Sequence, residues 1–120
     1  MIRRYGGVFL AAHPAVFYNL LFRAVRETLL EVAATPRHLG ARIGGLMVLH
    51  TWGQTLQLHP HVHVIIPGGG LSADGTRWVA CPPGFFLPVK VLSRVFRGKL
   101  LDFLQQEAAD RHLEWRGDQQ

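Results

Sequence analysis

The segment His59-Pro60-His61-Val62-His63-Val64-Ile65-Ile66, closed by Pro67-Gly68-Gly69-Gly70, constrains this chain more than any other. Side chains two apart on a strand share a face, so the histidines fall on one side and Val62, Val64 and Ile66 on the other. One side reads as packed core, and the opposite side carries imidazoles in a row. Such a row points to metal binding or phosphoryl chemistry.

The flanking sequence predicts an α+β arrangement. From Pro14, a favourable first-turn residue, Phe17, Leu20, Leu21, Ala24, Val25, Leu29 and Val32 recur at helical spacing until Pro36 and Gly40. Ile43 to His50 reads as a strand weakened at its start by Gly44-Gly45, and His61 to Pro67 as a second strand. Leu71-Ser72 leads into the Asp74-Gly75 turn, and Arg77 to Cys81 forms a third short strand. Pro88 opens a second helix with Val89, Leu92, Phe96, Leu100, Phe103 and Leu104 on one face. The expected fold is an antiparallel sheet of about three strands flanked by two helices. The tail 114–120 carries no pattern and is expected to fray.

The chain has 120 residues, enough for one domain, and 48% apolar residues supply a core. Charged residues are sparse at 18%, as expected of a surface covered by further segments of a longer protein. Of the 13 cationic residues behind the net charge of +5, eleven are arginine, which grips phosphate bidentately and makes nucleic acid the natural partner. Cys81 is the single cysteine, so neither an internal disulfide nor a thiolate zinc cluster can form within the chain. Ile43 to Ala73 lacks Lys, Arg, Asp and Glu, yet its histidines, glycines and period-two pattern exclude a membrane span. His13-Pro14 interrupts the N-terminal apolar stretch before it reaches signal-peptide length, and a cytoplasmic location is expected.

If the strand ending at His50 pairs antiparallel with the one beginning at His61, with these two opposite, their Cβ atoms lie about 5 Å apart. His63 stands two residues along on the same face. Three neutral imidazoles can hold a divalent ion with a position left open, and with no carboxylate in the set the ion keeps its charge for a phosphoryl oxygen. A strand histidine is also commonly a satisfied packing residue, and His13, His38 and His112 are read that way. His59 shares the parity of His61, but Pro60 lacks an N–H and marks a strand entrance; His59 is either a residue supporting the ligands or substrate, or plain loop.

Two families share features with this run. The stretch Leu49-His50-Thr51-Trp52-Gly53-Gln54-Thr55-Leu56, then His59-Pro60-His61-Val62-His63, Pro67-Gly68-Gly69-Gly70-Leu71-Ser72 and Asp74-Gly75 resembles rolling-circle insertion-sequence transposases. These are two-tyrosine members of the HUH endonuclease superfamily, named for paired histidines flanking a hydrophobe, here His61-Val62-His63. Trp78, Phe85-Phe86-Leu87-Pro88-Val89, Leu92-Ser93 and Phe96-Arg97-Gly98-Lys99 extend the likeness, which runs from about His13 to Leu104. The resemblance implies a partial HUH-endonuclease palm over 13–113, after a poorly matching extension at 1–12. It implies Mg²⁺ or Mn²⁺ held by His61 and His63, with His50 as third ligand, polarising a phosphate of single-stranded DNA at the element ends. A tyrosine then becomes joined to the 5′ end in DNA transposition.

The departures are specific. The cysteine-rich region usual at the start of these transposases has no counterpart, and their tyrosines lie beyond the second helix. The only tyrosines here are Tyr5 and Tyr18, and Tyr18 lies among Phe17, Leu20 and Leu21 as a packing residue, the alternative being an N-terminal nucleophile such as relaxases carry. The expectation is an internal fragment bearing the metal half of the site, inactive alone, with N- and C-terminal transposase segments missing. The alternative is a histidine-triad nucleotide hydrolase, whose signature His59 through Ile65 meets if Pro60 counts as a hydrophobe, with His61 attacking phosphate without metal. A third reading is a non-catalytic DNA-binding remnant, in which Lys90, Arg94 and Arg97, spaced i, i+4, i+7, track a phosphate backbone.

Overall fold

The computed structural model describes residues 13–50, 61–84 and 86–111. In chain order these form helix α1 (Pro14–Ala34), strands β1 (Ala41–Arg42), β2 (Leu46–His50), β3 (His61–Ile65), β4 (Gly69–Ser72) and β5 (Trp78–Ala80), and helix α2 (Val89–Asp110). The expected α+β class holds. By internal contacts the chain divides into two units, Met1–Leu29 with Val89–Gln120, and Leu30–Pro88.

The first unit is a helix pair. Phe17, Leu20, Leu21 and Ala24 are buried on α1, and Leu100, Phe103, Leu104 and Ala108 on α2. The first set follows the spacing i, i+3, i+4, i+7 and the second i, i+3, i+4, i+8, each of which puts an apolar stripe on one helix face. Two contacts fix how the helices run. The Arg23 guanidinium carbon lies 4.0 Å from the Phe103 ring centroid, and Lys99 Nζ lies 3.7 Å from Glu27 Oε1. Moving one turn forward on α1 moves one turn back on α2, so the helices are antiparallel. Leu104 is fully buried, and each leucine so placed contributes about 2 kcal/mol of transfer free energy. Val89 departs from its expected core position at 73% exposure, because the buried residues of α2 all lie in its second half.

Helix α1 starts where Pro14 requires no amide partner, and the Phe17 amide donates to the His13 carbonyl at 3.0 Å. At the other end Thr35 Oγ1 donates to the Glu31 carbonyl at 3.0 Å. The amides of His38, Leu39 and Gly40 converge on the Thr35 carbonyl. These bonds satisfy groups that a helix terminus leaves open, just where Pro36 forbids continuation.

The second unit carries two separate ladders. One sheet has the order β1-β4-β5, antiparallel throughout, and β2-β3 form a two-stranded ribbon. The expected strand over 43–50 is shortened to β2, which begins at Leu46 after Gly44 and Gly45, and β1 at Ala41–Arg42 is a further strand before it. The expected lead-in at Leu71-Ser72 belongs to a strand of its own, which starts at Gly69. The Asp74-Gly75 turn is present, with Gly75 at φ 73° in the left-handed region that glycine enters without steric cost. Asp74 Oδ1 accepts from Ser72 Oγ at 2.6 Å, Thr76 Oγ1 at 2.7 Å and the Thr76 amide at 3.0 Å.

Candidate functional site

The β2-β3 register pairs Leu46 with Ile65, Met47 with Val64, Val48 with His63, Leu49 with Val62, and His50 with His61. Strand parity then fixes two faces. His61, His63 and Ile65 share a face with His50, Val48 and Leu46; Val62 and Val64 share the other with Leu49 and Met47. The four residues of the second face are half-buried, whereas Leu46, Val48, His63 and Ile65 are exposed. The histidine-bearing face is therefore the open one.

The backbone places His50 opposite His61 at one end of the ladder, with His63 two residues further along the same face. The side chains of His50 and His61 lie outside the described set, as do His59, Tyr5 and the connection 51–60. Among the described residues, no three His, Cys, Asp or Glu side chains cluster in a metal-holding group. An open depression of about 460 Å³ follows β3, lined by residues that include Ile66, Pro67, Cys81 and Phe86. Among the described residues, its lining offers no acid or base beyond the Cys81 thiol.

Tyr18 is half-buried on α1, its ring 6.1 Å from that of Phe17 at an interplanar angle of 71°. That edge-to-face packing is the arrangement aromatic pairs prefer in a core. Lys90, Arg94 and Arg97 are all exposed on α2, and their spacing puts them on one side of the helix.

A second exposed group lies on the three-stranded sheet. The register places Arg42 opposite Leu71, and Leu71 opposite Trp78, so the three form one row across β1, β4 and β5. All three are exposed, Trp78 at 55% and Leu71 at 47%. On the opposite face Ala41 and Ser72 are buried and face each other in the same ladder. The sequence signal for this row is the alternation of Ala41 with Arg42, which a two-residue strand makes too short to read by periodicity.

A family model described as "Putative transposase" matches residues 44–120. The chain is similar to "Putative transposase y4qJ" of Sinorhizobium fredii, 62% identical over 94 residues, which cover 78% of this chain and 24% of that protein. It is similar to "Transposase for insertion sequence element IS801" of Pseudomonas savastanoi pv. phaseolicola, 39% identical over 67 residues, covering 52% and 16%. This chain thus spans at most 24% of the length of these curated relatives. No solved structure matches it. Among the described residues, no helix is long and apolar enough to cross a membrane.

Proposed function

Because the chain belongs to a transposase family, we propose that it supplies the histidine-bearing, DNA-contacting portion of an enzyme that nicks and transfers single-stranded DNA at the ends of an insertion sequence. The observation that carries this reading is the His50–His61 pairing, with His63 on the same open face. Imidazoles presented side by side from two paired strands suit a divalent cation, Mg²⁺ or Mn²⁺, whose donors are nitrogen and whose open positions remain for substrate. When bound, such an ion supplies positive charge against the oxygens of the scissile phosphate.

The chain's own residues divide the remaining work. His50, His61 and His63 act as neutral donors, and His59 stands near enough in sequence to support a ligand or touch substrate. Lys90, Arg94 and Arg97 neutralise backbone phosphates and set the position of the strand. Tyr18, packed against Phe17, is not assigned as nucleophile; the attacking tyrosine comes from transposase sequence beyond this chain, as in a rolling-circle, two-tyrosine mechanism. Family membership leaves the nucleotide-hydrolase alternative without support.

Calorimetric titration with Mn²⁺ tests the reading. One site is expected, lost when His61→Ala and His63→Ala are combined; equal binding by the wild type and the double variant would overturn it. The chain alone forms no covalent adduct with single-stranded oligonucleotides, and an adduct abolished by Tyr18→Phe would reassign the nucleophile.

A further inference from the structure

We propose that the outer face of the β1-β4-β5 sheet is a stacking platform for unpaired nucleobases, with Trp78 as the stacking surface and Arg42 as the adjoining phosphate contact. The inference rests on the DNA reading above and adds a second contact region, on a different sheet from the histidines. An outward sheet face ordinarily carries polar residues, yet this one presents an indole, a leucine and a guanidinium in register.

The indole is positioned by its neighbours. Gly69 lies in β4 beside Trp78, and a Cβ there would meet Trp78 Nε1 at 2.8 Å and Cε2 at 3.0 Å. The ring therefore lies down over Gly69, and any side chain at 69 would push it away. A ring laid on the sheet with 55% of its residue surface in solvent is prepared to receive a flat partner. Bases stack on aromatic faces in a sequence-tolerant way, each worth roughly tenfold or more in affinity.

Charge selects the occupant. Arg42 is two strand spacings from Trp78, about 10 Å between backbones, a span that the arginine side chain shortens toward the phosphate beside a stacked base. No carboxylate joins the row. Asp74, on the hairpin turn nearby in sequence, has Oδ1 engaged by Ser72 and Thr76. An aromatic surface flanked by an arginine, on a chain with net charge +5, fits single-stranded DNA better than an apolar protein partner.

Anisotropy titration of a short labelled oligo-dT strand with the full chain tests this, with circular dichroism checking the fold of each variant. Trp78→Ala is expected to weaken binding about tenfold with an unchanged salt slope, and Trp78→Phe to keep most of the affinity. Arg42→Ala should lower the salt slope by about one. In a Trp52→Phe, Trp115→Phe background, oligo-dT should quench Trp78 emission and matched duplex should not, a readout that leaves Trp78 in place. If the wild type binds oligo-dT but Trp78→Ala and Arg42→Ala bind equally well and Trp78 emission is unmoved, the platform is overturned while the DNA reading stands. If the wild type binds no single strand even at low salt, both fall. A Trp78→Ala variant with altered sedimentation and unaltered DNA affinity would assign the face to a second copy and overturn the proposal.

Discussion

His50 and His61 are direct cross-strand partners in the β2-β3 ladder. In an antiparallel pair, opposed residues have Cα atoms about 4.5 or 5.5 Å apart, according to whether they share the ladder's hydrogen bonds. Both values fall within the range that a disulfide spans. In a Cys81→Ser background, His50→Cys combined with His61→Cys should therefore oxidise readily to an intramolecular disulfide, seen as a mobility shift reversed by reductant. His50→Cys with Val62→Cys, whose side chains leave opposite faces, should not. Efficient crosslinking of the second pair would mean that the ladder is shifted by one residue.

The helix pair predicts opposite outcomes at two buried sites. Leu104→Ala removes fully buried methyl groups from α2 and should cost about 2–5 kcal/mol. Thr28 is 3% exposed on α1, and its Oγ1 has no hydrogen-bond partner among the described residues. Thr28→Val, of the same shape, should stabilise by about 1 kcal/mol by removing an unsatisfied hydroxyl. Denaturant melts of both variants check the pair, and a loss in Thr28→Val would show that the hydroxyl is bonded in solution.

Glu27 joins α1 to α2. Its carboxylate accepts from Arg23 Nε at 2.9 Å and lies near Lys99 Nζ and Arg26 Nη2. The Arg23 hydrogen bond, aided by the three positive charges and opposed by slight burial, holds its pKa below the ordinary 4.5. A lowered folded-state pKa gives stability that is present above the unfolded value and is lost as pH falls through the folded one. Glu27→Gln should cost about 0.5 kcal/mol at pH 7, since the pair is solvent-screened, and the difference should vanish in acid. A difference between wild type and variant that persists below pH 3 (about the bottom of the carboxylate range) would place the effect elsewhere.

The hairpin turn has its own acid transition. Hydrogen bonds from Ser72 and then Thr76 hold the Asp74 pKa down to about 2 from 3.8. The turn should therefore keep its full support above pH 3.8 and lose it as pH falls through about 2. Carboxyl chemical shifts of Asp74 and exchange of the Thr76 amide report this directly. Asp74→Asn should speed that exchange at neutral pH, and an unchanged rate would detach the carboxylate from the turn.

Much of this arrangement was legible in the residues. Pro14, Pro36 and Pro88 bracket the helices because proline acts at a fixed place in a helix, whatever packs around it. The shared face of His61 and His63 was readable because a one-residue slip would turn Val62 and Val64 outward and the histidines inward. The direct opposition of His50 and His61 was a supposition, since a two-residue slip keeps the same faces. The division into two ladders was not. Gly69 and Gly70 read as chain breakers, and they form a strand because neighbouring groups approach where a side chain would stand: Trp78 over Gly69, and the Arg42 carbonyl 2.5 Å from where a Gly70 Cβ would be. The second of these joins residues nearly thirty positions apart, which no local pattern records. The residue pattern leaves Trp78 open between core packing and stacking on unpaired bases, and its exposure comes from the structure.

A two-stranded ribbon is marginal in water when nothing braces it. Among the described residues, 46–50 and 61–65 are hydrogen-bonded only to each other as strands, so a ligand that gripped His50 and His61 together would also fasten the two segments. Occupancy and local order would then rise as one quantity, and the amides bonded within the β2-β3 ladder become its natural gauge.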